Sequence, residues 1–169
     1  MKTGASVYIL GIDPGSAATG YAVLEDVVPV PRVVAVGVIR GGKKALSVRL
    51  ANIFSALQDI MQQHRPDVVA VEEVFHARNT KSALVLGHAR GVALLAAGLA
   101  GAKVYEYPTR TVKQTVTGYG GADKEQVRKM LVATLGSAPE SLDASDALAV
   151  ALCHLRWSDA PTAPKRKCS

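Results

Sequence analysis

The sequence predicts an α/β protein with a mixed five-stranded sheet and helices on both faces. Three observations support this prediction. Three strand-like segments come first with no helix between them, as in an antiparallel meander. Strand and helix patterns then alternate, which produces parallel neighbours in a sheet. The chain has 169 residues, enough for one domain with a sheet and its covering helices.

The elements follow from local patterns. Val7–Asp13 is almost entirely apolar, which predicts a strand buried on both faces, and Pro14-Gly15-Ser16 ends it in a turn. Further strands are predicted at Gly20–Leu24, Arg32–Arg40, Asp67–Val74 and Lys103–Tyr107. Helices are predicted at Leu46–His64, Ser82–Ala100, Thr109–Thr117, Asp123–Leu135 and Leu142–Arg156, the first from apolar residues at three- and four-residue spacing. A folded domain is expected over 1–157, and a disordered basic tail over 158–169.

Composition narrows the class of protein. The net charge of +6 and the pI of about 9.5 favour a polyanionic partner such as nucleic acid. Cys153 and Cys168 form no CxxC motif, which argues against a disulfide scaffold or a thiolate zinc site and fits a reducing cytoplasm. The longest uninterrupted apolar run, Val92–Ala102, is about half the length of a bilayer-spanning helix. No membrane partner is therefore expected.

Carboxylates stand at the ends of two apolar strands. Asp13 ends the first strand, and Glu72 and Glu73 follow the run Val68–Val71. A carboxylate at the end of a buried strand is costly unless it is paired or binds a cation. Parallel strands align their carboxyl ends, so these acids are expected at one edge of the sheet. Because the strand is apolar on both faces, its periodicity does not decide whether Glu72 or Glu73 faces Asp13.

Two more acids, Asp143 and Asp146, begin a helix rich in alanine and leucine, and their three-residue spacing places them on one helical face. Asp143 is also explained by the helix dipole, whereas Asp146 points toward a cleft or the core. No lysine or arginine lies near these acids in sequence. Oxygen ligands without cysteine or histidine suit Mg²⁺ or Mn²⁺. Two such ions about 4 Å apart can hydrolyse a phosphodiester.

Four segments together resemble the RuvC family of Holliday junction resolvases. They are ILGIDPGSAATGYAVL (9–24), VAVEEVFHARNTKSALVLGHARGVALLAA (69–97), VYEYPTRTVKQTVTGYGGADKEQV (104–127) and LDASDALAVALCH (142–154). The resemblance implies a ribonuclease-H-like fold, a homodimer, divalent metal, and paired symmetric nicks across a four-way DNA junction. It also implies cooperation with a branch-migration motor of the RuvA–RuvB type.

The resemblance also assigns residues. The metal-binding and catalytic positions of the family match Asp13, Glu72, Asp143 and Asp146, which favours Glu72 over Glu73. Phe75 matches an aromatic residue that engages bases at the junction, and Lys113 and Lys124 match basic positions that face DNA. Arg78 stands where the family tends to carry a basic residue.

Two alternative functions share these features. One is a ribonuclease-H-like nuclease that acts on another nucleic acid, which the four acids alone do not distinguish. The other is a junction-binding module without catalysis, which the four carboxylates argue against because acids repel phosphate. A two-lobed actin-like ATPase would need a longer chain and a second phosphate-binding loop.

The predicted helix Ser82–Ala100 has no continuous polar face, because Ser82, His88 and Arg90 are widely separated around its circumference. A helix that is apolar nearly all round must be covered on more than one side. The sequence therefore predicts a homodimer built on this helix, with Leu86 or Leu94 as the exposed position to test.

Overall fold

The computed structural model describes residues 6–73 and 79–158. Within these ranges the element order is β1 (Val7–Asp13), β2 (Ala18–Asp26), β3 (Arg32–Arg40), α1 (Leu46–His64), β4 (Val68–Glu73), α2 (Thr80–Leu99), β5 (Lys103–Pro108), α3 (Thr109–Thr117), α4 (Lys124–Leu135) and α5 (Leu142–Ser158). The predicted order is confirmed, and the bounds differ by a few residues at some ends. Phe75, Arg78 and the tail from residue 159 lie outside the described residues.

The five strands form one sheet in the order β3-β2-β1-β4-β5. The first three strands pair antiparallel, whereas β4 is parallel to both β1 and β5. The mixed sheet predicted from the sequence is therefore confirmed. Since β1, β4 and β5 run in the same direction, their carboxyl ends meet at one edge.

Helices cover both faces of the sheet. One face packs against α1 and α2 through a core that includes Leu10, Ile12, Val69 and Val71. The other face packs against α3, α4 and α5 through a core that includes Ile9, Val68 and Ala70. Alternate residues of each central strand therefore serve opposite layers.

Two glycines allow α5 to lie directly on the sheet. A Cβ at Gly11 of β1 would lie 2.7 Å from the backbone nitrogen of Ala151, and one at Gly20 of β2 would collide with the backbone carbonyl of Asp143. Real Cβ atoms do not approach other atoms so closely. Both positions thus require glycine for the close approach of the helix, and this approach fixes the height of α5 above the strands.

Part of α2 remains uncovered. Its buried residues are alanines on one side, whereas Leu84, Leu95 and Leu99 are 63%, 55% and 65% exposed. These three leucines share one side of the helix and form what we call the α2 stripe. Leu86 and Leu94 are both partly buried, so they are less exposed than the sequence analysis expected and do not belong to the α2 stripe. Among the described helices, only α2 is long and apolar enough to cross a membrane.

Candidate active site

The strand-end carboxylates converge at the edge where β1 and β4 end. Asp13, Glu72 and Asp146 line one cleft of about 240 Å³, and Thr109, Lys113 and Lys124 line it with them. The acids come from β1, β4 and α5, so residues far apart in sequence meet because the two strands are parallel and α5 lies across them.

The register of β1 and β4 decides which glutamate joins Asp13. Ile12 and Val71 are paired neighbours and both enter the core beneath α1 and α2. The next residues, Asp13 and Glu72, therefore point to the opposite face, toward α5. Glu73 is on the α2 side and lines a second, larger cleft of about 600 Å³.

The side chains of Asp13 and Glu72 face each other within hydrogen-bonding reach in the cleft. Burial of Asp13, together with the nearby charges of Glu72 and Asp146, raises the pKa of Asp13 to about 9. A carboxylate in a poorly solvated cleft beside other acids ionises only at a cost, so Asp13 keeps its proton near neutral pH when no cation is bound. The pair is therefore suited to a dication that would displace this proton.

Lys124 lies inside the acid cluster. Its Nζ donates to Oδ2 of Asp146 at 2.6 Å, and the charges of Asp13 and Asp143 also act on it. No lysine or arginine lies near the acids in sequence, but the fold brings Lys124 to Asp146. The cause is the start of α4, where Asp123 and Gln126 form a capping box that begins the helix at Lys124, opposite α5.

Thr109 is a site residue that the sequence analysis missed. It begins α3 directly after β5, and its Oγ1 donates to Oε1 of Glu72 at 2.5 Å. Its place could have indicated this role, because Thr109 directly follows a parallel strand, and Asp13 and Glu72 were found at the ends of such strands. Lys113, one turn further along α3, lines both clefts, and Arg110 lines the larger one.

Arg156 holds α3 and α4 against α5. It donates to the carbonyl oxygens of Thr115 and Val116 at 2.9 and 3.2 Å, and to Oγ1 of Thr134 at 3.1 Å. These carbonyls belong to the last turn of α3, where helical partners are missing. One guanidinium therefore fixes the two helices that carry Lys113 and Lys124.

The donor set fits a hard dication. Among the described residues that line the cleft, the possible ligands are carboxylates, with no thiolate or imidazole, and this is the combination that Mg²⁺ and Mn²⁺ prefer. No three Asp, Glu, His or Cys side chains in residues 6–73 and 79–158 are already arranged around a common point. Asp146 is instead turned toward the ammonium of Lys124.

Comparisons with known proteins converge on one family. Residues 9–154 match the family model described as "Crossover junction endodeoxyribonuclease RuvC". The chain is 46% identical to the protein of that name from Chromohalobacter salexigens, over 89% of this chain and 82% of the relative, and 48% identical to that of Marinobacter nauticus, over 86% and 84%. It is also similar to the structure of T. thermophilus RuvC in complex with a Holliday junction substrate, with a TM-score of 0.84 and 34% identity over 90% of this chain and 94% of that one.

Proposed function

The chain belongs to the RuvC family of crossover junction endodeoxyribonucleases, and on this premise we propose that it resolves four-way DNA junctions by paired symmetric nicks during recombination and repair. The observation that carries the proposal is the convergence of Asp13, Glu72 and Asp146 in one cleft of a basic protein. Excess positive charge attracts the phosphate backbone, while the acids provide a separate place for metal.

Asp13, Glu72, Asp143 and Asp146 would hold the metal, which we propose to be two Mg²⁺ ions, with Mn²⁺ able to substitute. Bound there, such ions would activate water and stabilise the leaving oxygen in phosphodiester hydrolysis. Thr109 orients Glu72 through their hydrogen bond, so the carboxylate keeps one rotamer in the cleft. Asp143, one turn before Asp146 on α5, acts on the same cluster through its charge.

Lys124 has two roles in this proposal. In the absence of metal, its ammonium neutralises Asp146, which limits repulsion among the acids. When a dication takes the carboxylate, the ammonium is free to contact a phosphate oxygen of the DNA. Since Lys124 is half-exposed, its side chain can turn toward the substrate without leaving the protein surface.

Lys113 and Arg110 provide the phosphate contacts beside the acids, because both line the larger cleft and are accessible. Phe75 and Arg78 are proposed to contact the junction as well, on the strength of the family resemblance. They follow β4 directly, and β4 ends at the candidate site.

A second copy of the chain is proposed to cover the α2 stripe. One site can cut only one strand, whereas two related nicks require two sites, and a two-fold dimer matches the symmetry of a junction. Three leucines that are more than half exposed on one helix side are an unusual cost for an isolated chain. We also propose that the protein works with a branch-migration motor of the RuvA–RuvB type and that it is located in the cytoplasm.

The experiment compares a synthetic four-way junction, a plain duplex and an RNA–DNA hybrid, each with and without Mg²⁺. We expect symmetric nicks in the junction only, and only with metal. Equal cutting of the hybrid would favour a nuclease that acts on another nucleic acid, and tight junction binding without cutting would favour a binding module.

Variants test the site itself. Glu72→Gln and Asp146→Asn are expected to abolish cutting and to leave junction binding intact, because each removes a metal ligand and a charge that repels phosphate. The matched control is Asp26→Asn, an exposed carboxylate at the far end of β2. Glu73 is less suitable as a control because it lines the larger cleft.

A further inference from the structure

The connection between α3 and α4, which we call the glycine loop (residues 118–123), is held in one conformation. The side-chain amide of Gln114 donates to the carbonyl of Gly118 at 2.6 Å, and its Oε1 accepts from the backbone N–H of Gly120 at 2.9 Å. Oγ1 of Thr117 accepts from the N–H of Tyr119 at 3.1 Å. Two side chains of α3 thus bind the loop back onto the helix.

Tyr119, near the tip of this loop, is 65% exposed. Its ring lies against Gly121: a Cβ there would be 2.6 Å from the phenolic oxygen and 2.7 Å from Cζ of Tyr119. The glycine backbone therefore supports one part of the ring, and the remainder is open to solvent. Contact with Gly121 restricts the ring on one side, which lowers the entropic cost of stacking on it.

The glycine loop borders the candidate active site. Gly120, the neighbour of Tyr119, lines the larger cleft together with Asp13, Glu72 and Lys113. A Cβ at Gly120 would be 2.8 Å from Cγ of Arg110, so the stem of that arginine lies along the loop. The loop that carries Tyr119 thus reaches the cleft in which Arg110 and Lys113 lie beside the acids.

We propose that Tyr119 stacks on an unpaired nucleobase of the bound DNA at the branch point. The inference rests on the proposed function and adds a base contact to it. Every base has a flat face, and an aromatic ring beside cations binds single-stranded segments in this way. A base within a continuous duplex is covered on both faces by its neighbours, so the contact selects for branched DNA.

The test uses Tyr119→Ala and Tyr119→Phe in the Asp13→Asn background, where binding is measured without cutting. Tyr119→Ala is expected to weaken junction binding by about tenfold, the size of one lost base–aromatic stack. Affinity for plain duplex and the salt slope of binding should stay unchanged, since no charge is removed. Tyr119→Phe should retain the affinity because it keeps the ring.

Two further variants refine the test. Gly121→Ala displaces the ring without removing it and should also lose affinity, whereas Val132→Ala, an exposed apolar residue on α4, should not. A junction with 2-aminopurine at the branch point should fluoresce more brightly with Tyr119→Ala than with the parent, because an unstacked base is less quenched.

Unchanged junction affinity in Tyr119→Ala, or an equal loss on plain duplex, would overturn the proposal. These outcomes differ from failure of the proposed function. If the proposed function were wrong, the wild-type chain would neither cut the junction nor prefer it to duplex. If wild type cuts and prefers the junction while Tyr119→Ala matches it, only the stacking contact is rejected.

Discussion

Replacing Asp13 by asparagine should stabilise the metal-free protein while abolishing cleavage. The pKa of Asp13 is raised to about 9 by burial and by the charges of Glu72 and Asp146, from an ordinary value of 3.8. A group whose folded-state pKa is raised stabilises the fold fully below its unfolded pKa. That stability is lost as the pH rises toward the folded pKa. Asparagine is neutral throughout and avoids the loss.

The magnitude follows from the window between the two pKa values. One proton costs about 1.4 kcal/mol for each pH unit above the unfolded pKa, so the penalty reaches at most about 4 kcal/mol at pH 7. Relaxation and entry of water reduce it, and we expect a gain of about 2 kcal/mol for Asp13→Asn near neutral pH. Below pH 4 the two proteins should be almost equally stable.

Urea denaturation in EDTA from pH 4 to pH 9 measures this gain, with Asp26→Asn as the control at an exposed carboxylate. Adding Mg²⁺ should make the wild type the more stable of the two proteins. The bound dication stabilises the wild type, whereas the variant lacks one of its ligands and binds it less tightly. A difference in stability between Asp13→Asn and wild type that does not grow with pH in EDTA would refute the account of the site. Cleavage by the variant at the wild-type rate would refute the metal assignment.

Four other changes test separate parts of the structure. Lys113→Ala should lower the slope of log affinity against log salt by about 0.9, the value for one phosphate contact, as determined by titration at several salt concentrations. Lys124→Ala should reduce cutting strongly yet change the free energy of unfolding by less than about 1 kcal/mol, because its ion pair with Asp146 is partly exposed. Leu95→Glu should give a 17.7 kDa monomer in sedimentation. A dimer of unchanged affinity would exclude the α2 stripe as the dimer interface. Phe75→Ala should lose cutting at little cost in stability, and a loss of about 3–5 kcal/mol would indicate a core residue instead.

The parts of the site that depend on strand order could be predicted from the sequence. Asp13 and Glu72 end apolar runs, and parallel strands necessarily bring their carboxyl ends together. The choice between Glu72 and Glu73 could not be made from periodicity, because Val68–Val71 is buried on both faces. Only the register with β1 shows that Glu72 points toward α5.

The parts that depend on helix packing could not be predicted. Lys124 and Asp146 are 22 residues apart and meet only in the fold, where the capped start of α4 lies opposite α5. The exposed side of α2 was also hidden, since a helix with almost no polar residues gives no signal of which side packs on α1. Burial by alanine on that side leaves the larger leucines outside.

The acid cluster lies where α5 packs closely on the sheet. Gly11 of β1, two residues before Asp13, lies against Ala147 and Ala151 of α5. Ala147 directly follows Asp146. Metal ligands must be held within about 0.5 Å of their productive positions. Because Gly11 has no Cβ, α5 can lie close enough to β1 to hold Asp146 in its place beside Asp13. Gly11→Ala should therefore lose about 1–3 kcal/mol or more and also lose cleavage, because it lifts α5 from the sheet. Asp13→Asn loses cleavage with the opposite change in stability. Thermal denaturation in EDTA measures the change in stability of each variant. If both changes had the same sign, charge repulsion and helix packing would not make the separate, opposing contributions to stability inferred for this site.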